Sequence, residues 1–316
     1  MPTFKRPDRA VECLSSLQAQ TLADFELILV DNAADAFLAE RVQHFNAQAR
    51  IPARYLAEPR PGAHTARHAG ARAATGSVLV FTDDDVTFET GWLDAYARAF
   101  DAYPAMAAAG GTVRPHWEAE PPDWLERFMA GRSMFPQLSL MEFSDAFQLT
   151  HEGIFFSLNM AIRRDIFFEL GGFNPDAYGD TWLGDGETGL NRKLWARGAL
   201  IGFVPEAVVY HHIPAQRLTL DHLRRREAND GACDMYARFH SAPIDPLSLL
   251  AEAGRVCARS VRDWLAAWVL RGRTDLRSLR VQLRAARSQA QLSYIARLLV
   301  DPERRALVAK QDWLNA

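Results

Sequence analysis

Three aspartates stand side by side, Asp83, Asp84 and Asp85, one residue after the apolar run Val78-Leu79-Val80-Phe81. Adjacent carboxylates repel one another, and burying any of them is costly unless a cation, hydrogen-bond donors or water relieves the charge. Such a turn is either fully solvated or grips a metal, and carboxylates at a strand end suit hard cations such as Mg²⁺ or Mn²⁺. Other groups capable of chemistry also follow apolar runs. Asp31 closes FELILV, His211 and His212 close IGFVPEAVVYHH, and Asp185 and Glu187 lie in GDGETGL just ahead of a helical pattern.

The elements that must hold these groups are legible as an alternation. Ala10, Cys13, Leu14 and Leu17 recur at helical spacing after Pro7, and Phe25 to Val30 then reads as a strand. Arg54 to Leu56 reads as a short strand, Gly62 to Ala74 as an alanine-rich helix and Ser77 to Phe81 as the strand before the aspartates. Alternating strands and helices predict an α/β fold on a mainly parallel sheet, where ligands bind at the carboxyl ends of strands. Asp31 and Asp83 to Asp85 fall at such ends. Gly91 to Tyr103 reads as a helix and Met106 to Val113 as a strand, and Arg114 to Gly153 then forms an irregular excursion rich in Pro, Trp and Phe. Strand and helix return from Ile154. Beyond about Ser241 the pattern is helical only, with Val261, Trp264, Leu265, Trp268 and Val269 on one apolar face and a later stripe of arginines from Arg273 to Arg287.

A chain of 316 residues with 48% hydrophobic and 24% charged content can bury a substantial core. Its net charge of −3 hides a split, because residues 1–240 sum to −9 and residues 241–316 to +6. We therefore expect two regions, 1–240 and a basic helical 241–316. Three scattered cysteines suit a reducing compartment, with the cytoplasm as the default. The most apolar late segment, Trp264 to Leu270, is too short to cross a bilayer, so any membrane role is peripheral, at the inner face.

Six motifs in order resemble glycosyltransferase family 2, the inverting GT-A enzymes that use nucleotide-sugar donors. They are Pro2-Thr3-Phe4-Lys5-Arg6-Pro7, then Val30-Asp31-Asn32, then GAHTARHAGARAATG from Gly62 to Gly76. Asp83-Asp84-Asp85 follows at the position of the family's DxD, then Asn159 to Phe173, and last Gly184-Asp185-Gly186-Glu187 with Leu190 to Leu194 behind it. The resemblance covers roughly residues 1–240. It implies a GT-A fold, a Rossmann-like nucleotide-binding mixed sheet flanked by helices, here with a helical C-terminal appendage. It implies that Asp85 binds Mg²⁺ or Mn²⁺, that Asp83 contacts ribose or metal beside Asp84, and that His211 is a candidate third ligand. Thr3, Asp31 and Arg67 border the nucleotide, and Glu187 takes the proton of the attacking hydroxyl. The expected partners are a nucleotide-sugar donor, with UDP-sugar first, and a glycan, lipid-linked or small-molecule acceptor, as in polysaccharide biosynthesis. No nucleic-acid partner is expected, and the basic helices are candidates to dock on a membrane or an acidic partner.

Three positions depart from the family pattern. The apolar strand that precedes the first motif is absent, His68 stands where the family has Asn, and the family's Glu-Asp pair aligns with Gly186-Glu187, which leaves Asp185 as the rival base. Core packing is the expectation for Trp117 and Trp124, and Trp182 is open between packing and stacking on a sugar. Arg217 and Arg224 to Arg226 either clamp phosphate or line a solvated helix. Two other readings use the same residues, a nucleotidyltransferase and a non-catalytic nucleotide-sugar-binding relative. The first of them lacks the Gly-rich phosphate loop with Lys or Arg that it would need after the first strand.

Overall fold

The computed structural model describes residues 1–178, 181–241 and 245–314. β1 (Pro2–Thr3) leads into α1 (Pro7–Leu17), whose opening proline lacks only an N–H that a first turn leaves unpaired anyway. Ala10, Cys13, Leu14 and Leu17 form the buried face of α1, as their spacing predicts. β2 (Leu27–Asp31), α2 (Ala36–Asn46), β3 (Ala53–Ala57), α3 (Ala63–Ala73) and β4 (Val78–Thr82) continue the alternation. β1, β2 and β3 pair in parallel. β1 spans two residues and pairs with β2 alone, so the first sheet does not reach β4. A groove of about 750 Å³ separates them, with Leu27, Ile28 and Val30 on one side and Val78 and Val80 on the other.

Next come β5 (Val86–Phe88), α4 (Trp92–Ala102), β6 (Met106–Trp117), α5 (Asp123–Met129), β7 (Met134–Phe135), β8 (Leu140–Met141), β9 (Gln148–Thr150), β10 (Asn159–Arg163) and α6 (Arg164–Glu169). β11 (Ala177–Tyr178), β12 (Thr181–Trp182), α7 (Gly186–Ala196) and β13 (Leu200–Ile213) complete the sheets. The second sheet runs β4-β10-β6-β13-β5 and is mixed, for only β6 and β13 pair in parallel. The expectation of a mainly parallel sheet therefore holds for the first sheet alone. β10 enters between β4 and β6 antiparallel to both, since it returns from the excursion rather than from a strand-helix-strand crossover. The excursion is also less irregular than its composition suggests. β6 runs on to Trp117, and β7, β8 and β9 are strands of two or three residues, too short to show a period.

Asn159 ties the layers together. Its Oδ1 accepts from Trp92 Nε1 and from the Tyr96 hydroxyl at 2.8 Å each, and its Nδ2 donates to the carbonyls of Thr112 and Ala207. One buried amide thus links α4, β6, β10 and the long β13.

The remaining helices are α8 (Leu220–His240), α9 (Pro246–Val269), α10 (Leu276–Val300) and α11 (Pro302–Ala309). Met235, Tyr236 and Phe239 of α8 join Leu249, Val256, Ile295 and Leu298 in a second core, while Leu223 at the other end of α8 belongs to the core of the sheets. Among the described residues, no helix is long and apolar enough to cross a membrane.

Candidate active site

The turn from β4 to β5 places the three aspartates in three environments. The Asp84 side chain has no exposed surface, that of Asp85 is 10% exposed and that of Asp83 28%. Arginines from distant elements meet them, an outcome outside the choice between water and metal. Arg67 of α3 pairs with Asp83, and Arg6 reaches Asp84 at 2.5 Å and Asp85 at 3.1 Å. Arg217, just after β13, reaches Asp85 at 2.9 Å. Thr3 Oγ1 donates to Asp84 at 2.6 Å. Burial still pushes Asp84 up to about 6 against the pull of Arg6 and Thr3. Burial would raise Asp85 as well, but the guanidinium groups of Arg217 and Arg6 beside it hold it far below the usual carboxylate range.

His211 lies at the same turn. Its Nδ1 meets the Leu138 carbonyl at 2.9 Å, and its Nε2 meets Arg217 at 2.7 Å. A carbonyl can only accept and a guanidinium can only donate, so the proton sits on Nδ1 and the Nε2 lone pair, which accepts from Arg217, becomes a ligand atom only when that arginine leaves. Nε2 is 3.8 Å from Asp85 Oδ1. An imidazole nitrogen and a carboxylate oxygen meeting at a strand end form a donor set that suits Mn²⁺ or Mg²⁺ once Arg217 withdraws. The structure therefore brings Asp85, Asp83 and His211 to one turn, with Thr3, Arg67 and Asp84 in contact with it.

Glu187 sits in the first turn of α7, after Asp185 at the N-cap. Gly186 holds φ of +48°, and a Cβ there would lie 2.2 Å from Asp176 and 2.6 Å from His64 Nε2, so only glycine lets these groups close on the turn. His64 Nε2 is 2.8 Å from Asp176 Oδ1 and 3.5 Å from Glu187 Oε2. The approach to Asp176 is off the line of a hydrogen bond, which leaves Nε2 without a bonded acceptor. Arg67 reaches His64 Nδ1 at 3.1 Å, and Phe173 stacks on the ring at 4.5 Å. Asp83, Arg67, His64 and Glu187 thus form one continuous chain of contacts from the acidic turn to α7. Burial pushes Glu187 up, but His64 and Arg67 outweigh it and hold the carboxyl below its usual range.

His64, Asp176 and Glu187 bring ligand atoms within 4.8 Å of one another, which makes them a second candidate cation set. The geometry at Nδ1 disfavours it. Arg67 donates there, so the ring proton is left on Nε2, the atom that a metal would need.

Asp185, the rival base, is differently placed. One oxygen accepts from Asn174 Nδ2 and the other from Arg192, both at 2.8 Å, and the residue is 4% exposed. Burial raises its carboxyl above the usual value in spite of those two partners. Asp31 is likewise consumed within the protein. It has no exposed surface and accepts from the Ala33 and Asp35 amides and the Tyr55 hydroxyl, so in this conformation it caps its own loop. His68 accepts the Phe173 amide at 2.9 Å and serves packing. Trp117 and Trp124 pack against the main core and Trp182 against the second. His64 and Asp176 were not singled out from sequence. His64 lies three positions before Arg67, one turn along α3, a spacing that signals a shared face. Nothing local points to Asp176.

The model of the family described as "Glycosyl transferase family 2" matches residues 1–171. A glucosyl-dolichyl phosphate glucuronosyltransferase of Haloferax volcanii is 25% identical over 225 residues, which are 70% of each chain. The succinoglycan biosynthesis protein ExoM of Rhizobium meliloti is 28% identical over 232 residues, 72% of this chain and 71% of its own. Among solved structures, a mannosyltransferase from Pyrobaculum calidifontis in complex with GDP-Man and Mn²⁺ superposes with a TM-score of 0.54, covering 99% of this chain and 83% of its own at 20% identity. At that identity the likeness establishes the GT-A fold.

Proposed function

This chain belongs to glycosyltransferase family 2, and from that premise we propose that it moves a sugar from a nucleoside diphosphate, UDP first, to an acceptor hydroxyl with inversion at the anomeric carbon. The observation that carries this reading is the run of contacts Asp83–Arg67–His64–Glu187, which sets a free carboxylate at the head of a helix within reach of the acidic turn. In the step, the acceptor oxygen attacks the anomeric carbon as its proton passes to Glu187. The bond from that carbon to the diphosphate oxygen breaks, and its electron pair leaves with the diphosphate.

Glu187 suits the base because His64 and Arg67 beside it favour its ionised form, whereas both Asp185 oxygens are engaged by Asn174 and Arg192. Bringing an anionic diphosphate near Glu187 raises its proton affinity toward a useful value. Asp85 and His211 Nε2, with Asp83 beside them, would hold Mg²⁺ or Mn²⁺, which when bound would supply positive charge to the departing diphosphate. Arg6 and Arg217 are then released from Asp85 toward the phosphates, a role for which a planar guanidinium is well shaped. The acceptor is a hydroxyl compound of the glycan or lipid-linked class, by analogy with the relatives.

The test is a panel of UDP- and GDP-sugars incubated with the protein and Mn²⁺. Nucleoside diphosphate release from at least one donor, abolished by chelation, is the expected result. No release, and no thermal stabilisation by any nucleotide, would overturn the reading.

A further inference from the structure

α9 is an amphipathic helix turned the wrong way round. Its inward face carries Leu249, Val256 and Ser260 together with both of its acidic residues, Glu252 at 7% and Asp263 at 6% exposure. Its outward face carries Leu250, Val261, Trp264, Leu265, Trp268 and Val269, each at least half exposed. A lone exposed apolar residue is ordinary, but Val261, Trp264, Leu265, Trp268 and Val269 at helical spacing over about two and a half turns form a patch that calls for cover.

The charges beside the row say what kind of cover. Glu252 is held by Arg238 at 2.9 Å and Arg255 at 2.5 Å, and Asp263 by Arg262 at 3.0 Å. The charge that α9 shows to solvent is therefore that of Arg255, Arg259 and Arg262, which lie within ion-pair distance of the buried acids yet remain more than half exposed themselves. A second copy of the chain would bring like charges together across the face, which is unfavourable, whereas an anionic lipid surface meets both features. Tryptophans favour the depth of the headgroups, aliphatic side chains enter the acyl boundary and arginines reach the phosphates. A shallow depression lined by Arg238, Arg255, Arg259 and Glu252 adds a cationic recess beside the row.

We propose that the outward face of α9 docks in the plane of an anionic phospholipid bilayer. Val261, Trp264, Leu265 and Trp268 enter the interface while Arg255, Arg259 and Arg262 pair with lipid phosphate.

The experiment is sedimentation of the full chain with vesicles of phosphatidylcholine, either alone or mixed with phosphatidylglycerol, alongside the double variant Leu265→Gln/Trp268→Gln. The wild type is expected to pellet with the anionic vesicles, less so as salt rises, and the variant to bind about tenfold more weakly with an unchanged melting temperature. Should that variant melt early, Trp264→Gln/Val269→Gln probes the same row. Wild-type protein left in the supernatant, equal pelleting by the variant, or equal binding to neutral vesicles would overturn the proposal. So would a dimer in light scattering that the substitutions split, because the face would then hold a second copy of the chain.

Discussion

At the scale of residues, arginine does much of the work that a sequence assigns to metal. Arg6, Arg67 and Arg217 neutralise Asp83, Asp84 and Asp85. A cation must therefore compete for Asp85, and its binding is tied to release of Arg217. With Mn²⁺ present, wild-type protein should bind UDP at least about tenfold more tightly than in a chelator, and Asp85→Asn should show no such gain. Titration calorimetry decides it, and equal metal dependence in the two proteins would count against Asp85 as a ligand. His68 makes a separate prediction. Burial, then the charges of His64, Arg72 and Lys193, push its pKa down to about 3 from an ordinary 6.5. Between those values the unfolded chain holds the extra proton, so stability falls as pH drops below about 6.5. From pH 7 to pH 5 the wild type should lose about 2 kcal/mol more than His68→Gln in urea unfolding. Identical losses would show that the ring is charged in the folded state.

At the scale of elements, the site depends on how β10 is fastened. Asn159→Ala leaves the Trp92 indole without its acceptor and Tyr96 with only the backbone carbonyl of residue 159 at 3.1 Å, and it removes the side-chain donor from the Thr112 and Ala207 carbonyls. A cost of about 3–5 kcal/mol is expected in denaturant unfolding. A loss under 1 kcal/mol, about that of one exposed hydrogen bond, would show that the amide is not the tie described. Local signals carried the alternating half of the chain and the strand-end position of the aspartates, because an apolar run broken by charge is a short-range pattern. The arginine partners of those aspartates were not legible as partners. Arg6 and Asp85 are 79 positions apart and Arg217 and Asp85 132, and no spacing rule spans such distances. Asp176 was invisible for the same reason, and β7 to β9 were too short to leave a period. The direction of β10 was missed because strand order is a property of the whole sheet.

At the scale of the molecule, the two cores meet at the loop that leads to Glu187. Leu183 is buried in the helical core, Tyr294 of α10 donates to its carbonyl at 2.6 Å, and Cys233 of α8 contacts the Gly184 carbonyl. We propose a division near residue 240 in which α10, through Tyr294, braces this loop and α9 faces outward. Transfer requires a group to receive the acceptor proton, here Glu187, and the direct test compares wild type, Glu187→Gln and Asp185→Asn for nucleotide affinity and for donor turnover with Mn²⁺. Glu187→Gln should keep its affinity for UDP while losing about 10²–10⁴-fold in turnover. Asp185→Asn should lose far less turnover and show its effect as a lower melting temperature, since its carboxylate is bound to Asn174 and Arg192. The reverse order of turnover, or near-normal turnover by Glu187→Gln, would contradict the account.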